Sequence, residues 1–372
     1  MDFPQNMSME AAFALAEAEA KLDAALQESR ERFEQAIIPN RLNEDWRFGR
    51  PHKYATALAE LLQSSLLSHG EASVLHAEEA AVRITAEDED LRQTEMLMPS
   101  IGSDAMLGMH LKRFGQGYAL YIEESTTEPI VITYRGGELY TPSTFIMVAP
   151  GVKAHVIEHH TGSPGSTMFA TRNIQVAEGA ALKVELTSKG FEHYMCITNI
   201  QNMGGKVSHL TAHEDSAWVR EETVAEIYTA GADTRLFSAN HLGDAAVLDQ
   251  HTKQIHHVGE ATSDLLYKNV LDGKATATFA GNIYVAPGAH NTDAYQSNRN
   301  MLLSENATVN SLPGLEILAD KVRCSHGSAS APLDEEQLFY LCSRGIPQYE
   351  AQKLVAQGFL EDVLSRFNKD EQ

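Results

Sequence analysis

Basic residues are scarce in this chain: 29 Lys and Arg stand against 51 Asp and Glu, a formal net charge of −22. Nucleic-acid binding needs cations to displace counterions from phosphates, so this balance argues against a nucleic-acid partner. Cysteine is scarcer still, and Cys196, Cys324 and Cys342 are too few and too scattered for a disulfide framework. No apolar run approaches the roughly 20 residues of a membrane-spanning helix. The amino terminus, MDFPQNMSMEAAFALAEAEA, carries acids where a signal peptide would place basic residues. A cytoplasmic protein with no membrane partner is the expectation. There is also no G-x-x-x-x-G-K-[ST] loop to cradle nucleotide phosphates, since Gly204-Gly205-Lys206 lacks the upstream glycine and the following hydroxyl. Gly115-Gln116-Gly117 is an isolated turn rather than a dinucleotide fingerprint, and no G-x-S-x-G nucleophile elbow occurs.

What remains is an ordinary globular composition, 43% hydrophobic and 22% charged over 372 residues, enough for two or three structural units. Residues 1–95 read as helical. Leu15, Leu22, Leu26, Phe33 and Ile37 fall on one helical face, and Pro39 ends the run. A second apolar cluster, Ala55 to Leu67, stops at Ser68-His69-Gly70, and Trp46 in the polar stretch between reads as a packing anchor. Residues 96–330 change character, with segments of five to eight residues rich in Val, Ile, Thr and Tyr. Pro150-Gly151-Val152 recurs as Glu178-Gly179-Ala180 and as Pro287-Gly288-Ala289, each time after a Val-containing strand. One turn repeated between short strands, with no helices between, predicts a solenoid of β-rungs. A β-sandwich is the rival reading. Residues 331–372 return to helix, with Asp334 and Gln337 approximating a capping box and Gly345 placed to close the first helix. Ala351, Val355, Phe359, Val363 and Phe367 then recur at steps of four. Two short helices cannot bury both apolar faces alone, so this segment must dock on something.

The run Pro313-Gly314-Leu315-Glu316-Ile317, Asp320-Lys321-Val322-Arg323-Cys324-Ser325-His326-Gly327, Leu333 to Leu341 and Ser343-Arg344-Gly345-Ile346 resembles the SufB/SufD family. Lys268, Phe279-Ala280-Gly281, Thr292-Asp293, Asn298, Asn300 and Glu44-Asp45-Trp46-Arg47 fit the same family, and the Cys-Ser-His-Gly form is its SufD type. The resemblance implies a right-handed parallel β-helix flanked by N-terminal and C-terminal α-helical segments. It implies a non-enzymatic scaffold in a complex for iron–sulfur cluster assembly. The implied partners are a SufB-like β-helix subunit and a SufC-like ABC-type ATPase, with a homodimer as a further possibility. The transient cofactor would be an iron–sulfur cluster shared with the partner, and a flavin is possible in the assembled complex. The C-terminal helices would dock the ATPase, through Leu338, Phe339, Tyr340, Arg344, Gly345 and Phe359.

Cys324 and His326 carry the chemistry. Two residues apart, they project to one face of an extended strand with Cα atoms about 6.6 Å apart. Thiolate sulfur and imidazole nitrogen bind metals at about 2.3 and 2.0 Å, so one iron or cluster could contact both. Val322 shares that face, so on spacing alone core filling is the plainer reading; the resemblance turns it, and implies Cys324 and His326 as candidate iron or cluster contacts at the partner interface. Of the sixteen histidines, eleven fall between His155 and His290 without zinc-site spacing, and most read as exposed rung or turn residues. Cys196 reads as a buried, inert thiol and Cys342 as helix packing. Competing functions are a SufB-like cluster-nucleating subunit and a stand-alone β-helix enzyme such as a polysaccharide lyase.

Overall fold

The computed structural model describes residues 98–112 and 117–369 together with shorter stretches before residue 98. Nineteen strands among the described residues form two sheets. One runs β1 (Gly70–Leu75), β4 (Ile130–Gly136), β7 (Lys153–Thr161), β9 (Ala181–Lys189), β11 (Lys206–Glu214), β13 (Asp233–Leu242), β15 (Thr262–Leu271), β17 (Asp293–Leu302), β19 (Arg323–Pro332). The other runs β18 (Thr308–Ile317), β16 (Thr276–Val285), β14 (Val247–His256), β12 (Trp218–Ile227), β10 (His193–Asn202), β8 (Thr167–Val176), β6 (Ser143–Val148), β3 (Gly117–Ile122), β2 (Val82–Thr85), with β5 (Leu139–Tyr140) beside β8. From β6 onward successive strands alternate between the sheets, so each coil adds one strand to each and pairs with its neighbours in parallel, as in β10 against β12. The architecture is the expected right-handed β-solenoid with helical segments at its ends.

The repeated turn builds the corners. Gly151, Gly179 and Gly288 have φ of 73°, 69° and 83°, the left-handed region where a side chain is disfavoured. Each turn closes on itself, as in Val152 N–H to Ala149 O at 3.2 Å, and Gly151 N–H donates to Glu178 O in the next coil at 3.0 Å. Thr229-Ala230-Gly231-Ala232 is a further copy, with Gly231 donating to Glu260 O at 2.7 Å.

Residues 1–95 do not read out as helix alone. The described residues between Ala24 and Gln35 are helical, but β1 (Gly70–Leu75) and β2 (Val82–Thr85) are strands, each antiparallel to its neighbour, β4 (Ile130–Gly136) or β3 (Gly117–Ile122). They continue the two sheets at the amino-terminal end, where an unpaired edge would otherwise lie open. Trp46, the stripe Leu15, Leu22, Leu26, Phe33 and Ile37 with Pro39, and the cluster from Ala55 to Leu67 lie outside the described residues.

Both sheets are covered outside. Helix α1 (Asp104–Lys112) sets Met106 and Leu107 against Phe169, Met195, Ile197 and Trp218. Helices α2 (Glu335–Ser343) and α3 (Gln348–Lys369) follow the last coil. Val363 and Phe367 of α3 pack on Leu210, Phe237 and Leu266, and Lys183 Nζ stands 4.5 Å over the Phe367 ring. No described helix is long and apolar enough to cross a membrane.

An apolar core runs through the solenoid from Ile132, Ile146, Val156 and Val184 to Leu265 and Phe279. From β7 onward buried polar groups share the interior with it, which corrects the reading of the central histidines. His160, His209, His213, His251 and His256 are buried, and all but His251 bond across to the opposite sheet or line the interior. Arg172 Nε donates to Glu158 Oε2 at 3.0 Å, and Arg172 Nη1 donates to His209 Nε2 at 2.8 Å. His160 bonds Glu158 and Tyr194, and His213 bonds Glu221 and Ser188. Burial opposes ionising Glu158, yet Arg172 and His160 outweigh it and bring the carboxyl to about 2. These histidines are inside because each imidazole has a carboxylate, hydroxyl or guanidinium partner that strand alternation delivers to the same face.

Candidate functional site

The carboxyl-terminal end of the solenoid is where the predicted donors meet. Asn240, Asn269 and Asn300 stack in register on successive coils, joined by amide hydrogen bonds of 2.9 and 3.0 Å, and Asn300 Nδ2 donates to Ser330 Oγ at 3.2 Å. That ladder fixes which face of β19 (Arg323–Pro332) points inward. Alternation then puts Ser328, His326 and Cys324 on the face of Ser330, above Asn298, Gln296 and Ala294 of β17 (Asp293–Leu302). No coil follows, so inward-pointing side chains of β19 stand open.

Cys324 and His326 therefore share one face, as their spacing requires, but not one environment. Cys324 is half-buried against Ile283, Val285, Ala289 and Ala294, with Val322 beside it. Burial raises its thiol above the usual value, partly opposed by a hydrogen bond with the Ala294 backbone, so binding a metal there displaces a proton. His326 is exposed. Iron could take a thiolate and an imidazole from this edge, the soft and borderline donors that suit it. Among the described residues no group of three or more His, Cys, Asp or Glu side chains could hold a metal ion, so two donors are what this chain offers here. Cys196 is fully buried, with its thiol pushed up to about 12 by burial, and Cys342 is half-buried in α2.

The helical ends divide the predicted contact residues. Asp334 caps α2 by accepting from Glu336 N–H at 2.9 Å. Gly345, at φ 88°, ends it with Gly345 N–H to Cys342 O and Ile346 N–H to Leu341 O. Yet α2 buries no residue at all. Phe339 is 75% and Tyr340 57% exposed, Arg344 lies 5.3 Å from the Tyr340 ring, and Leu338 is half-buried. Gly345 is exposed. Tyr349 at 76% and Leu354 extend the exposed face, and the step-of-four stripe did not single them out. Phe359 differs: it is half-buried beneath Lys268, whose Nζ sits 4.5 Å over its ring, bonds its carbonyl at 3.0 Å and pairs with Asp362 at 2.9 Å. That residue serves the docking of α3 on this chain's own sheet.

The architecture is a parallel β-solenoid with helical ends, and in the single chain its last coil and α2 are exposed. The SUF-system iron–sulfur cluster assembly SufBD core domain matches residues 131–359, and the chain belongs to that family. It is 31% identical over 221 residues to the iron–sulfur cluster assembly protein SufD of Escherichia coli, covering 58% of this chain and 52% of that one. It is 26% identical over 289 residues to the SufBD family protein Rv1462 of Mycobacterium tuberculosis, covering 74% and 65%. Over 134 residues, 36% of this chain and 29% of the relative, identity to the SufBD family protein slr0076 of Synechocystis is 37%. The chain thus spans between half and two-thirds of the length of the first two relatives.

Proposed function

We propose that this chain is a scaffold subunit for iron–sulfur cluster assembly in the cytoplasm, not an enzyme in its own right. The observation that carries the reading is the open last coil. Cys324 and His326 stand on its inner face where no further coil covers them, and membership in the SufBD family supports an iron–sulfur cargo. The open edge of β18 and β19 receives a SufB-like β-solenoid subunit, which contributes the remaining donors. Its exposed Leu312, Leu315 and Ile317 are the kind of surface a partner covers. The exposed face of α2, with Phe339, Tyr340 and Arg344, receives the SufC-like ATPase. No described group argues for a flavin, and this reading includes none. The same open edge suits a second copy of the chain, which makes a homodimer the second reading.

Affinity purification from the native cytoplasm tests this directly. A SufB-like subunit and an ABC-type ATPase should appear with the chain in comparable amounts. Recovery of the chain alone, or only with itself, refutes the heteromeric scaffold.

A further inference from the structure

We propose that the cleft between the outer face of β14, β16 and β18 and residues 100–102 binds a small zwitterion, an α-amino acid, with its ammonium group at His251 and its carboxylate at Lys253. No residue of β19 takes part, so the inference goes beyond the iron reading and does not depend on it.

Gln250 of β14 reaches Glu221 and Ser238 inside the solenoid at 2.8 and 2.9 Å. Alternation therefore puts Asp249, His251 and Lys253 on the outer face, where residues 100–102 and Asp45 roof a cavity of about 410 Å³. That is the size of a small-molecule site. One buried guanidinium ties the roof to the floor. Arg220 Nη1 donates to Asp45 O and Nη2 to Ile101 O, each at 2.9 Å, and Nη1 also donates to Asp249 Oδ2 at 2.7 Å. Asp249 Oδ1 in turn lies 2.9 Å from His251 Nε2. Burial opposes ionising Asp249, yet His251 and Arg220 outweigh it and hold its carboxyl below the ordinary value. A carboxylate only accepts, so in the neutral imidazole Nε2 carries the proton and Nδ1 keeps its lone pair. Nδ1 has no partner although His251 is 3% exposed, and Thr278 Oγ1 in the same cavity, also at 3%, has none either. Buried polar atoms left open on a cavity call for a ligand that hydrogen-bonds them.

The charges select the ligand. Beneath His251, Arg220 faces two carboxylates, Glu222 and Asp249, each at 2.7 Å, and Asp45 adds a third in the roof. That negative excess favours an ammonium group, which also brings the N–H donor that Nδ1 requires. Lys253 follows two residues along the same face, about 6.6 Å away at Cα. It pairs with no carboxylate among the described residues, its Nζ standing 5.8 Å from the centre of the Tyr284 ring, and so calls for an anion. An ammonium and a carboxylate one carbon apart, each extended by a charge-assisted hydrogen bond of about 2.8 Å, span that interval. Ile101 and Leu312 give the ligand's side chain an apolar wall. His251, Ala280 and Leu312 are register partners, so the small side chain of Ala280 is what leaves the floor open.

Saturation-transfer difference NMR of the full chain with the common L-amino acids, each at about 1 mM, tests the site. At least one should bind. Ala280→Leu, which fills the cavity without removing a polar group, should abolish its signal. Binding of none by wild type leaves the open polar atoms to water and overturns the proposal, as does binding kept in folded Ala280→Leu. Calorimetry with the bound amino acid, its des-amino acid and its amide then reads the orientation. Loss of either charged end should weaken binding about 10- to 100-fold, and equal affinity for the three ligands overturns the zwitterion. Lys253→Met, which keeps the aliphatic stem, should weaken the amino acid by a similar factor and leave the amide unchanged. Equal loss for both overturns the placement of the carboxylate.

Discussion

Acidifying the protein from pH 7 to pH 5 should loosen the fold through His209. Its Nε2 lies 2.8 Å from Arg172 Nη1 in the closed interior, with no solvent exposure. A guanidinium can only donate, so the imidazole must accept there and is held neutral. Burial first, then the nearby Arg172 charge, bring its pKa down to about 3. An unfolded chain takes up that proton at about 6.5. The folded state therefore binds fewer protons between those values, and stability is full above 6.5 and falls as pH falls towards 3. At about 1.36 kcal/mol per pH unit, His209 alone accounts for a loss of about 2 kcal/mol between pH 7 and pH 5. His256, lowered to about 4 by burial and then by His257, acts with the same sign and a similar size. Glu158 and Glu221, both brought to about 2, weaken the fold only below about 4.5. His209→Gln keeps an acceptor for Arg172 and removes the ionisation. Urea denaturation of wild type and variant at both pH values isolates the effect. The stability advantage of wild type over variant should shrink by about 2 kcal/mol at pH 5. An advantage equal at the two pH values would refute the neutral, guanidinium-bound imidazole.

Phe367→Ala removes a buried ring that meets Phe237 edge-on at 5.9 Å and lies under Lys183. Losing it should cost about 3–5 kcal/mol of α3 docking, read as faster hydrogen exchange along residues 348–369. Deleting residues 332–372 would uncover Leu210, Phe237 and Leu266 as well, so that truncation should lower the melting temperature of the solenoid, measured by calorimetry. Phe339→Ser with Tyr340→Ser lies on a face that α2 buries nowhere; stability should change by less than about 0.5 kcal/mol each, while ATPase co-purification is lost.

The solenoid was legible because its corners need a residue that tolerates positive φ, and Gly151, Gly179 and Gly288 mark that need in the sequence. Gly231 does the same between two alanines, without the proline or glutamate that drew attention to the others. Alternation identifies two faces of a strand but not which is inside. The buried histidines therefore read as surface. Their burial depends on partners a coil or more away: Arg172 and His209 are 37 residues apart. The strands at residues 70–75 and 82–85 are short, and their pairing is decided by an exposed sheet edge rather than by local pattern. The shared face of Cys324 and His326 follows from their spacing. Their unequal burial follows from being on the last coil, and the apolar stripe of α3 could not tell a partner-facing Phe359 from one held beneath Lys268.

We propose that Cys324 and His326 hold iron or a nascent cluster against a partner subunit. The most direct test is the iron and sulfide content of the complex purified with His326→Ala, beside Cys324→Ala and a Val322→Ala control. His326 is exposed and Cys324 half-buried, so complexes of both site variants should assemble and melt near wild type while losing iron and sulfide. Val322→Ala should lose about 1 kcal/mol of stability through a small cavity and keep its cluster. Full iron and sulfide in a properly assembled His326→Ala complex would rule out His326 as a ligand.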